Sequence, residues 1–174
     1  MRGRWIVVAM GALLLLSLSA SAQQQVRESA GPTGRANLIL VKTAARPDSV
    51  LAGLGSYLKS NGFLLDTLDP ARGLLTTRVL ESGETLSEQM KIRAVRGADG
   101  WKLTGLYLMG GPLSSGHTAF PAMFLGLNDA PAKTAFREVE AAARAIPGGT
   151  LRYDRAKVRF GAFTKWEDAL KMPW

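Results

Sequence analysis

Between residues 36 and 174 the chain reads as one α+β domain, an antiparallel sheet of four to six strands with two main helices packed on one face. Three observations carry this reading. Two stretches, Val50–Leu58 and Ala132–Ile146, repeat apolar residues at helical spacing. Four short apolar or alternating runs lie between them. The turns joining those runs are too short for the crossover helix that a parallel pair needs. The element order is β-α-β-β-β-β-α with a further β-α at the end, and helices on one face of such a sheet bury both apolar stripes together.

Ala36–Thr43 is a compact apolar run between polar residues and predicts the first strand. Arg46-Pro47-Asp48 opens a helix, because proline fits the first turn and an acid there complements the helix dipole. Val50, Leu51, Leu54, Tyr57 and Leu58 form its buried face, and Asn61-Gly62 ends it, with Gly62 suited to a left-handed cap. Gly53 and Gly55 each weaken this helix by about 1 kcal/mol relative to alanine. They either let it lie close to a sheet or mark local looseness.

Strands are predicted at Phe63–Leu68 and Leu74–Leu80, joined by the Asp69-Pro70-Ala71-Arg72-Gly73 turn. From Leu86 the sequence alternates, with Leu86, Met90, Ile92 and Ala94 on one face and Gln89, Lys91 and Arg93 on the other. The Gly97–Gly100 turn leads to a strand at Trp101–Met109. Within Gly110–Asn128, the front string from Gly110 to Pro121 reads as a loop, and the stretch with Met123, Phe124, Leu125 and Leu127 fits either a helical turn or a strand. Asp129 is the expected cap of a helix from Pro131 to Ile146, with Lys133, Arg137, Glu140 and Arg144 on the wet side. Leu151–Phe160 predicts a last strand, and Thr164 with Glu167 predicts a capping box for a short helix ending at Lys171.

The segment from Val50 to Val79 contains Tyr57-Leu58, Asn61-Gly62-Phe63, Leu68-Asp69 and Arg72-Gly73-Leu74. In this order of helix, Gly-Phe, strand, turn and returning strand, it resembles exported bacterial domains of helix-grip or TATA-binding-protein-like fold. Domains of the outer-membrane assembly lipoprotein BamC are one example. The likeness spans about 110 residues by order of elements. It implies the fold and carries no activity and no functional residue. This chain lacks the cysteine that a lipoprotein needs.

Residues 1–22 read as a secretory signal peptide: Arg2 and Arg4, an uncharged apolar run from Trp5 to Leu18, then Ala20-Ser21-Ala22 as a cleavage site. The run is short of the roughly 20 residues of a membrane-spanning helix, and an uncleaved anchor is the other reading. Residues 23–35 are polar with glycine and proline, a flexible tether. Residues 36–174 then form the domain. The expected location is periplasmic or secreted.

With no cysteine, the chain has no disulfide, thiol nucleophile or thiolate metal site. The net charge is +8, and removing Arg2 and Arg4 leaves 20 basic against 14 acidic residues, a net +6. That balance either keeps the domain soluble or favours anionic partners such as lipid headgroups, acidic polysaccharide or nucleic acid. An envelope protein or an anionic surface is the expected partner. Nucleic acid is not expected in an exported protein, and no transmembrane helix is expected in the mature chain.

The sequence offers little for catalysis, and no cofactor, metal ligand or catalytic residue is expected. The sole histidine, His117, has no second histidine at helical spacing. Paired with Ser114 or Ser115 it would make a small hydrolase, yet the local string is not the Gly-x-Ser-x-Gly elbow. Asp66 and Asp69 would serve acid–base chemistry as a pair, but Asp69-Pro70 is more simply a turn starter. Gly53-Leu54-Gly55 lacks the third glycine of a phosphate loop.

Two surfaces remain. Arg155, Lys157 and Arg159 alternate with Ala156, Val158 and Phe160, so the three cations share one face. That face reads as a solvated outer surface or as protection of an edge strand, with the candidate contact for an anionic partner as the other reading. Phe120, Met123, Phe124, Leu125 and Leu127 read as cover for the sheet, with a partner or lipid contact as the other reading. The expected role is a non-catalytic binding or interaction module of the bacterial envelope. The alternatives are the His117 hydrolase and a carrier of a small apolar ligand between helix and sheet.

Overall fold

In a computed structural model, residues 31–80, 82–109, 118–160 and 164–172 are described. The strands are β1 (Leu38–Lys42), β2 (Leu64–Asp69), β3 (Leu74–Arg78), β4 (Met90–Gly97), β5 (Gly100–Met109), β6 (Thr118–Pro121) and β7 (Thr150–Asp154). The helices are α1 (Pro47–Ser60), α2 (Pro131–Arg144) and α3 (Trp166–Lys171). The α+β class holds. The number of strands does not: the described residues hold seven rather than four to six, while their three helices are the two main ones and the short terminal one. The additional strand, β6, falls at the end of the Gly110–Pro121 stretch that composition reads as loop, and Met123–Leu127, expected as a helical turn or a strand, is neither.

Every pairing is antiparallel, and the strands run β2-β3-β4-β5-β1-β7. The ten-residue β5 sets this layout. β4 follows one edge along nearly its whole length. The opposite edge is shared end to end, with β1 on Trp101–Leu103 and β6 on Leu106–Met109. Between the two, the Ala122 amide donates to the Gly105 carbonyl at 2.8 Å, and the Phe124 amide to the Ala36 carbonyl at 2.8 Å.

Alternation sends Ile39, Val41, Leu75, Ile92, Ala94, Trp101 and Leu103 to one face, where α1 and α2 cover them in the main core. α1 contributes Val50, Leu51, Leu54 and Leu58, and α2 contributes Ala135, Phe136, Val139, Ala142 and Ala143. Gly55 explains how α1 lies close to the sheet, since a Cβ there would sit 3.4–3.8 Å from Leu68, Leu65 and Leu75. Gly53 faces open space. Gly105 is tighter still, because a Cβ would come within 2.6 Å of Val139 and 2.8 Å of Met90.

The opposite face carries a second, smaller core. Leu108 and Ala119 lie there with Ala169 of α3, and Val79, Phe160 and Trp166 pack around them. The third helix therefore closes a different side of the sheet from the two main helices.

Both main helices start with proline in the first turn and no side-chain cap. Asp129 is not the cap of α2, whose N-cap is Ala130. The N-cap of α3 is Lys165, one residue after Thr164, and its own side chain makes no cap hydrogen bond. Within the sheet, Thr77 replaces backbone with side chain: its buried hydroxyl accepts the Ile92 amide at 2.8 Å and donates to the Met90 carbonyl at 3.3 Å. None of the described helices is long and apolar enough to cross a membrane.

Candidate interaction surface

The ladder between β1 and β7 ends with Leu38 opposite Asp154, so the last strand closes six residues before the predicted Phe160. Asn37 extends the contact by side chain. Its Oδ1 accepts the Ala156 amide at 2.7 Å and its Nδ2 donates to the Ala156 carbonyl at 3.0 Å. Buried Asn37 thereby holds a segment that has left the ladder in extended register with the sheet.

The predicted alternation survives along that segment. Arg155, Lys157 and Arg159 are exposed, while Ala156, Val158 and Phe160 are half-buried. Phe160 anchors the far end in the minor core. The segment passes over the middle of β5, leaving a cavity of about 20 Å³ lined in part by Thr104, Gly105, Pro121, Val158 and Phe160. A space of that size holds about one water and no ligand.

The sheet face on this side is mixed. Cross-strand register places Asp69, Leu74, Val95, Lys102, Leu40 and Arg152 in one row across six strands. Lys102 and Arg152 are exposed, whereas Leu40, Leu74 and Val95 are half-buried. Arg152 lies 3.9 Å from Asp154, and both side chains are more than half exposed, a pairing of little energetic weight.

The two aspartates considered for chemistry have structural partners. Asp66 occupies the β-bulge between Leu65 and Thr67, which turns its carboxylate toward the Thr76 hydroxyl at 3.1 Å and the Lys91 ammonium at 3.4 Å. Asp69 accepts the Arg72 amide at 3.1 Å, which is the turn-starting role. His117, Ser114 and Ser115 lie outside the described residues, as do residues 1–30. Among the described residues no group of three or more His, Asp or Glu side chains is placed to hold a metal ion.

One polar cluster was not foreseen. The Tyr153 hydroxyl donates to Glu140 Oε1 at 2.6 Å, and Arg144 Nη2 reaches the same oxygen at 2.6 Å. Burial, then Glu140, pushes the Tyr153 phenol up to about 12. The Glu140 hydrogen bond also raises the Arg144 guanidinium above its ordinary value. Glu140 was expected on the wet side of α2, but its side chain is only 16% exposed because β7 lays Tyr153 over it. The i,i+4 spacing of Glu140 and Arg144 was visible in sequence. Tyr153 carried no signal for it.

The apolar string divides. Phe120 stacks on Tyr107 with centroids 5.7 Å apart, and Phe124 meets Phe136 edge-on at 5.9 Å, so both cover the core as expected. Leu125 and Leu127 do not: they are 46% and 80% exposed. Their loop is turned outward by its own bonding. Arg137 Nη1 donates to the Asn128 carbonyl at 2.9 Å, and Lys133 Nζ to Asn128 Oδ1 at 3.2 Å while lying 4.5 Å from the Phe124 ring centre.

This loop and the basic segment come together at the start of β1. The Arg35 amide donates to the Phe124 carbonyl at 3.1 Å, and the Asn37 amide to the Asp154 carbonyl at 3.1 Å. The residues leading into β1 thus run between the 124–128 loop on one side and the 154–156 segment on the other. Arg35 itself is held at φ 64°, alone among the described non-glycine residues in positive φ. No protein-family model and no curated protein matches this sequence.

Proposed function

We propose that this chain is a non-catalytic binding module of the bacterial envelope, exported by its first 22 residues, that meets an anionic partner through Arg155, Lys157 and Arg159. One observation carries the reading. Three cations stand exposed on a segment fixed at both ends, by the Asn37 carboxamide and by Phe160 in the minor core. Fixing the backbone lowers the ordering cost of multivalent contact with phosphate or carboxylate groups. The net charge of +6 on the chain without its leader adds long-range attraction of the same sign. The resemblance to exported helix-grip domains fits the same compartment.

The test compares elution of the chain from a phosphocellulose matrix. The variant Arg155→Ser/Lys157→Ser/Arg159→Ser should elute at clearly lower salt than a variant losing three remote cations, Arg46→Ser/Lys59→Ser/Arg72→Ser. Equal elution would mean that net charge alone sets binding, and the assignment to this segment would fail.

A further inference from the structure

Leu125 and Leu127 flank Gly126, which sits at φ +89°, and together they form the exposed apolar tip of a loop that cannot fold back. A lone exposed leucine is ordinary. Here two are held out by a braced frame. The Met123 amide donates to the Ala132 carbonyl at 3.0 Å, and the Ala130 amide to the Leu127 carbonyl at 3.2 Å. Lys133 and Arg137 clamp Asn128 from α2. Phe124 roots the loop in the core through Phe136.

The charge around the tip is positive. Lys133, Arg137 and Arg35 stand at its base against one acid of the loop, Asp129. Arg155 lies across β1 at the same end, beside the bond between Asn37 and Ala156. Apolar side chains projecting from a rim of cations match the boundary between acyl chains and anionic headgroups. A soluble polyanion would leave both leucines in water.

We propose that the Leu125–Leu127 loop docks on a phospholipid bilayer containing anionic lipid, with the two leucines entering the acyl boundary and Arg35, Lys133 and Arg137 at the phosphate level. This rests on the anionic-partner reading above and names its source.

Because the chain has no cysteine, Leu127→Cys carries a single environment-sensitive fluorophore. Asp99→Cys, in the exposed turn at the far end of β5, serves as control. Both are mixed with vesicles of phosphatidylglycerol and phosphatidylethanolamine, in the full chain and in the chain from Gln23, which keeps every residue of the described fold. The label at 127 should shift to the blue and brighten, and the label at 99 should not. Leu125→Ser/Leu127→Ser should weaken vesicle binding at least ten-fold while its phosphocellulose elution stays unchanged. A label at 127 that stays water-like, or a double serine variant that binds vesicles as well as the parent, overturns the inference. Phosphocellulose binding that depends on Arg155, Lys157 and Arg159, without vesicle binding, overturns the bilayer alone and leaves the anionic-partner reading standing. Loss of both overturns both.

Discussion

Asn37 and Ala156, 119 residues apart, are joined by two hydrogen bonds through one carboxamide, of 2.7 and 3.0 Å. The side chain does what a further residue of β-ladder would do, and it fixes where the basic segment starts. Asn37→Ala should leave the Ala156 amide and carbonyl without this partner and cost about 1–3 kcal/mol. Chemical denaturation would measure the loss, and amide exchange should speed up at residues 155–158 before it does in β4 or β5.

Thr77 offers a sharper contrast. Its hydroxyl serves two buried backbone groups of β4. Thr77→Val keeps the shape and removes both bonds, so a loss of about 2–6 kcal/mol is expected, since each orphaned group costs roughly 1–3 kcal/mol. Thr77→Ser keeps the hydroxyl and should lose far less. Equal losses in denaturation midpoint for the two variants would show that packing of the methyl, not the hydroxyl, matters.

Two glycines should respond in opposite directions to alanine. At Gly105 a methyl would press on Val139, Met90 and Ala122, and overpacking of this kind costs about 1–3 kcal/mol. At Gly53 a methyl meets nothing within 4 Å, and the gain in helix propensity should stabilise the domain by up to about 1 kcal/mol. Thermal unfolding of the two variants checks both signs.

The chain has three tyrosines, and all three are held above the ordinary phenol value. Burial is the first cause at Tyr57, Tyr107 and Tyr153, and Glu140 adds to it at Tyr153. A raised phenol stabilises the fold fully below pH 10, and that stability is lost as pH rises toward about 12. Absorbance titration at alkaline pH should therefore show little ionisation near pH 10 in the folded protein. Tyr153→Phe should remove the steepest part of the stability loss between pH 10 and 12. It should also cost about 1–2 kcal/mol at neutral pH through the bond to the Glu140 carboxylate.

Elements whose signal is local were legible. The apolar face of α1, its Asn61-Gly62 end, and the turn glycine Gly73 all emerge as read, with Gly62 and Gly73 at positive φ. β4 begins at Met90 rather than Leu86 because the Glu88 carboxylate ties up the amides of Glu84 and Thr85 in a turn. Four-residue β6 was not legible, since its existence depends on the free half of an edge of β5. The cation alternation at 155–159 was read correctly, but its support was not, because Asn37 is remote in sequence. Leu125 and Leu127 look like core by composition, and only the grip of α2 on Asn128 turns them outward.

β1 is the first strand in the chain, yet it sits between β5 and β7, the latter more than a hundred residues further on. A chain emerging amino end first can pair one edge of this strand with β5, but its other edge waits until almost all the rest has been delivered. Such an arrangement delays closure of the sheet until its last strand has been made. A truncation ending before Thr150 would expose the unpaired backbone of β1 and invite self-association.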